Sequence, residues 1–213
     1  MRSKKTHIGF LIALILLTSC NSSSPQVLDS QDLSERDIPI FSEDDPVLGN
    51  RDAPIQMVVF FDAQCPFCRQ FHQTIQQIED EWVSSGKLVI QYRDYPLSKH
   101  RFADNTHRAL FAAHQQSQHN LYLINLFAEQ SLWTQSINID EYLIQTAEKL
   151  GLNKSTFLMD YTSTAAGKEI LLDKVVGQEF GIREIPSTLI NDKLYRGALS
   201  LSQLKKILEA FSK

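Results

Sequence analysis

The chain predicts an α/β fold in which a βαβ unit and a ββα unit flank a long helical segment. Three observations carry that reading. Ile55 to Phe61 is a short β-branched and aromatic run, an amphipathic stretch follows it directly, and two more short apolar runs follow Pro186. With 213 residues the length suits one sizeable core with an inserted subdomain. The composition, 43% hydrophobic and 22% charged, is that of a globular chain and excludes a disordered or fibrous bulk. The net charge is -4, and the three basic residues of the first twenty leave the rest more acidic still. Nucleic acid is therefore not an expected partner, because phosphate binding needs clustered Lys and Arg.

The elements follow in order. Ile55 to Phe61 reads as a buried central strand. After Cys65-Pro66-Phe67-Cys68, the residues Phe67, Phe71, Ile75, Ile78 and Trp82 recur at helical spacing up to Gly86. Lys87 to Tyr92 is a second strand, ending near Pro96. From Lys99 to about Phe180 nearly everything reads as helix, interrupted by a Ser131–Asn138 loop and by Gly151 and Asn153, with Asp140 as a cap. A hairpin of Ser187 to Ile190 and Leu194 to Arg196 turns at Asn191-Asp192, and a closing helix starts near Ser200. This order is that of the thioredoxin fold with a helical subdomain, about residues 99–180, inserted between its two halves.

The N-terminus reads as an address. Arg2, Lys4 and Lys5 precede an apolar run from Ile8 to Leu17. Ten such residues rise about 15 Å as a helix, short of a hydrocarbon core of about 30 Å. Leu17-Thr18-Ser19-Cys20 resembles the bacterial lipobox, which implies a signal peptide over 1–19 and lipidation of Cys20. The expected location is the periplasmic side of the envelope. Asn21 in place of Asp leans towards the outer membrane, by analogy with Gram-negative lipoproteins. Residues 20–45, with Ser22-Ser23-Ser24-Pro25, read as a tether, leaving 46–213 as the folded domain.

Cys65 and Cys68 carry the chemistry. Cys65 stands at the expected N-cap and Pro66 at the first helical position, where a missing N–H costs nothing. Unpaired first-turn N–H groups and the helix dipole favour an anion at the Cys65 sulfur. A thiolate there is both nucleophile and good leaving group in disulfide exchange, with Cys68 as the resolving thiol. Metal is not expected. Cys65, Cys68 and His72 offer at most three ligands, a closed zinc site takes four, and no second Cys- or His-rich knuckle exists. His72 reads as an ordinary helix-face residue, and His100, His107 and His114 as a partly solvated stripe. Trp82 and Trp133 read as core, and no cofactor is expected. Phe67 is either exposed, where it suits binding of unfolded chains, or tucked against the insert.

Phe60-Phe61-Asp62-Ala63-Gln64-Cys65-Pro66-Phe67-Cys68-Arg69-Gln70-Phe71, with Gly181-Ile182-Arg183-Glu184-Ile185-Pro186-Ser187-Thr188, resembles the DsbA-like branch of thiol–disulfide oxidoreductases. The resemblance implies that Pro186 is cis and lies beside the cysteines. It also implies that Ile185 offers backbone groups to an extended substrate peptide. It further implies thiol-containing or unfolded exported proteins as substrates, and a membrane partner that recycles the enzyme. The chain departs from the family at one place. Many relatives carry a buried acid six positions before the first cysteine, and position 59 is Val. Asp62 is odd in register with that position, which predicts that it faces the other side of the strand. Without imidazole between the cysteines, a moderate Cys65 pKa is expected. Oxidase is the leading activity. A reductase or isomerase, or a non-catalytic envelope lipoprotein or chaperone, remains open, although the short polar segment 21–45 holds no dimerisation domain of the isomerase kind.

Overall fold

The structure is a computed structural model that describes residues 41–42, 45–191 and 193–212. The signal peptide, Cys20 and most of the tether lie outside the described residues. Five strands make one mixed sheet in the order β1-β3-β2-β4-β5. β1 is Val47–Leu48, β2 Ile55–Phe61, β3 Leu88–Asp94, β4 Ser187–Ile190 and β5 Lys193–Arg196. β2 and β3 run parallel, with Ile55 opposite Leu88 and Phe61 opposite Asp94, and the remaining pairs are antiparallel.

Alternation along β2 explains the layers. Ile55, Met57, Val59 and Phe61 enter the main core. The first helix, α1 (Pro66–Gln76), joins it through Phe71 and Ile75. So does the C-terminal helix α8 (Leu201–Phe211), through Leu204 and Leu208. Val58 and Phe60 point the other way, into a second cluster with Tyr95, Val176, Phe180 and Leu189. A strand with apolar residues on both faces must be covered on both, and here it is. The insert consists of α2 (Ala103–His114), α3 (His119–Ala128), α4 (Gln130–Trp133), α5 (Ile139–Lys149), α6 (Lys154–Tyr161) and α7 (Thr164–Glu179). α7 approaches the sheet at Gly177, where a Cβ would lie 2.9 Å from the Tyr95 ring.

Several expectations need correction. The amphipathic stretch after β2 is not one helix. α1 stops at Gln76 and a π-helical turn spans Glu79–Val83, which still buries Ile78 and Trp82. β3 runs two residues further than Tyr92, because Arg93 and Asp94 are buried and paired rather than solvated. The cap of α5 is Asn138, whose side chain accepts from the Glu141 N–H, while Asp140 accepts from Asn105 and Tyr161. Ser42 and Asp45, within the expected tether, pack against the sheet. Gln91, fully buried, donates to the Ser42 carbonyl and accepts its N–H, and Asp45 is buried beside Arg93.

Candidate active site

The turn from β2 into α1 positions both cysteines. Cys65 is the N-cap of α1 with extended backbone (φ −75°, ψ 122°), and Pro66 occupies the first turn. Cys68 lies one turn inside, 3% exposed. Both are free thiols. The backbone of the loop is held from two sides. The Cys65 N–H donates to the Asp62 carbonyl at 2.9 Å, and Gln130 of α4 donates its amide to the Ala63 and Cys65 carbonyls at 2.7 and 3.1 Å. Gln130 is itself buried, so the insert reaches the cysteine loop directly.

The two sulfurs differ electrostatically. A hydrogen bond from the Cys68 thiol, with N–H groups of Cys68 and Phe67 and the charge of His100, outweighs burial and lowers the Cys65 pKa to about 6. Burial, followed by the hydrogen bond and charge of Cys65, pushes Cys68 well above the ordinary thiol range. Cys65 thus ionises first, at the moderate value expected without an imidazole in the dipeptide.

A groove of about 540 Å³ opens over Cys65. Phe67 lines one side, Ile185 and Pro186 another, and Leu97 to Lys99 a third. The Ile185–Pro186 bond is cis, as the resemblance implied. Phe67 is 62% exposed, which decides between its two readings: it stands in solvent at the groove's lip. Val59 is buried in the main core with Cys65 and Cys68 and brings no acid to them.

Other polar residues are not where the sequence put them. The histidines form no common stripe. His107 is fully buried against Asp94 at 2.6 Å, and His100 precedes α2 and bonds Asp62. His72 is buried, with Nδ1 3.0 Å from the Tyr92 hydroxyl, and desolvation lowers its pKa to about 4. Among the described residues, the one trio of His, Cys, Asp or Glu with ligand atoms within 4.8 Å of one another is Asp45, Glu169 and Asp173, not Cys65, Cys68 and His72. Asp62 is not on β2, which ends at Phe61; it sits at the turn, fully buried, and its charge bears on Cys68. Asp62, Gln64, His100 and Gln130 are the site residues that sequence reasoning missed. Asp62 and Gln64 stood within the quoted motif, whereas nothing local pointed to Gln130.

A cysteine pair of unequal acidity at a helix N-terminus, with Pro186 on the wall of the same groove, places the molecule among thiol–disulfide oxidoreductases. A family model described as Thioredoxin matches residues 42–210, and the chain belongs to that family. It is 25% identical over 152 residues to the probable disulfide bond formation protein D of Bacillus anthracis, covering 69% of this chain and 70% of that one. A thioredoxin-like oxidoreductase from Silicibacter pomeroyi superposes with a TM-score of 0.67 at 25% identity, over 79% of this chain and 92% of that one. In fold the chain also matches alpha-DsbA1 of Wolbachia pipientis, with a TM-score of 0.70 at 19% identity, over 80% and 92% of the two chains.

Proposed function

We propose that this chain is an exported, lipid-anchored oxidase that donates the Cys65–Cys68 disulfide to envelope proteins. The unequal acidity of the two sulfurs carries the reading. A substrate thiolate attacks Cys65 of the disulfide, giving a mixed disulfide and releasing Cys68, which takes up a proton. A second substrate thiolate then attacks the substrate's own sulfur, and Cys65 departs as a thiolate. Low acidity of Cys68 keeps it a thiol and slows its return attack on Cys65, while high acidity of Cys65 makes it a good leaving group. Both effects favour release of an oxidised substrate and leave the enzyme as a dithiol, in need of a membrane partner to reoxidise it.

Ile185 and Pro186, on the groove wall facing Cys65, fit the role of binding an extended peptide by strand addition. Phe67 offers apolar contact to unfolded chains. Export and anchoring rest on Leu17-Thr18-Ser19-Cys20. No helix among the described residues is long and apolar enough to cross a membrane, so the lipid on Cys20 would supply the attachment.

The test is the reduction potential of the pair, measured by equilibration in glutathione buffers with Cys20→Ser to remove the third thiol. A value near about −120 mV marks a disulfide donor. A value near about −270 mV marks a reductase and overturns the reading. Loss of exchange in a folded Cys65→Ala variant would exclude the non-catalytic alternative.

A further inference from the structure

We propose that Asp62 and His100 are a positioning pair that acts on Cys65 and Cys68 from just beyond the end of β2, in place of the carboxyl that position 59 lacks. The inference rests on the reading of these cysteines as the reacting pair.

Asp62 is the first residue beyond β2 and is fully buried. Every oxygen it has is engaged. Oδ1 accepts the Gln64 N–H at 2.8 Å, Oδ2 accepts the Leu97 N–H at 2.9 Å and bonds His100 Nδ1 at 2.8 Å, and the carbonyl accepts the Cys65 N–H at 2.9 Å. One side chain therefore ties the cysteine loop to the β3–α2 loop. Gln64 makes a second tie, its Oε1 accepting the Phe102 N–H at 2.7 Å. A buried carboxyl needs hydrogen-bond donors, and it has three.

The ties place charge as well as backbone. Held through Nδ1 against Asp62, His100 adds its charge to the Cys68 thiol and the N–H groups of Cys68 and Phe67 in favouring a thiolate at Cys65. The Asp62 carboxylate opposes an anion at Cys68. The two members of one hydrogen-bonded pair thus act on different sulfurs, and both push towards ionisation of Cys65 first. His100 is 16% exposed in its side chain and Asp62 not at all, so the ring is the member that reaches solvent. Val59 cannot do this, being apolar and within the core beneath the cysteines.

A staple with no electrostatic role would hold the two loops equally well, and the variants are chosen to separate the two. His100→Gln keeps an amide donor for Asp62 and removes the charge. Asp62→Asn keeps an acceptor and removes the negative charge. Thiolate absorbance is titrated on the full chain in reduced form with Cys20→Ser, and alkylation with mapping assigns each midpoint. Lys99, Arg183 and Glu184 also line the groove and are unchanged in both variants. The Cys65 midpoint should rise by about half a unit or more in His100→Gln, with unfolding temperature unchanged, and the reduction potential should become more negative as the thiolate is less stabilised. The Cys68 midpoint should fall in Asp62→Asn. A Cys65 midpoint in folded His100→Gln equal to that of the parent, or lower, overturns the proposal, whether or not Asp62→Asn folds. The titration reads the sulfur itself, so it is independent of the direction of exchange that the potential of the parent protein tests.

Discussion

Two regions of this molecule bury ionisable groups, and they do so on different plans. Between sheet and insert, Arg93 is 3% exposed and meets Asp173 at 2.6 Å and Asp45 at 3.4 Å, while Asp94 takes the buried His107. Asp173 also accepts the Asp94 N–H at 2.7 Å. There Arg93 faces several carboxyls at once, with Asp45, Glu169 and Asp173 bringing oxygens within 4.8 Å of one another and burial holding Asp173 well above the ordinary carboxylate range. At the groove, the Cys65 thiolate is met by a thiol, two N–H groups and a histidine of the neighbouring loop. A guanidinium enclosed by buried carboxyls ties the sheet to the insert; a charge held by weak donors beside a groove stays available to a substrate. The difference separates a structural polar site from a reactive one.

The seam breaks most easily at Arg93. Replacing it by Met leaves Asp173 and Asp45 buried without their counter-charge, and losing one member of a buried pair costs about 3–5 kcal/mol. Urea unfolding of Arg93→Met should show a loss of that size, whereas Cys65→Ala, which breaks the groove instead, should abolish exchange with little change in the urea midpoint. Equal stability losses in the two variants would erase the contrast between the regions.

A smaller effect sharpens the seam's pH response. Burial, then the hydrogen bond and charge of Asp45, raises Glu169 from 4.5 to about 7. Between those values the native state holds a proton that the unfolded chain has released, so stability falls as pH rises through this window. Glu169→Gln should flatten that part of a melting-temperature profile and melt higher than the parent above pH 7. A parent profile that climbs from pH 4.5 to 7, and keeps its slope in the variant, would contradict the assignment. The smallest effect belongs to the groove's lip. Phe67→Ala should raise KM for an unfolded protein substrate about fivefold, roughly the 1 kcal/mol of partial apolar burial, while exchange with glutathione stays unchanged.

Sequence and structure agree most closely where the signals are local. Alternation at Ile55–Phe61 marks β2, and Pro66 after Cys65 marks the start of α1. They part where a polar residue's partner is remote. His107 looked solvated because histidine usually is, and its burial depends on Asp94 in a strand. Arg93 and Asp94 looked like the end of β3, yet they continue it because Asp173 in α7 receives both. Asp62 fell on the wrong face by counting along a strand that had already ended.

By itself, then, the sequence determined the order of elements, the paired cysteines at a helix start and the proline that faces them. Hydrophobic period and helix capping act over a few residues, so they can be read without coordinates. Only the tertiary structure decided which carboxylate stands by the cysteines, that Gln130 of the insert holds their loop, that Phe67 is exposed and where the tether ends. Burial makes a polar group depend on whichever partner packs beside it, and that partner can come from anywhere along the chain.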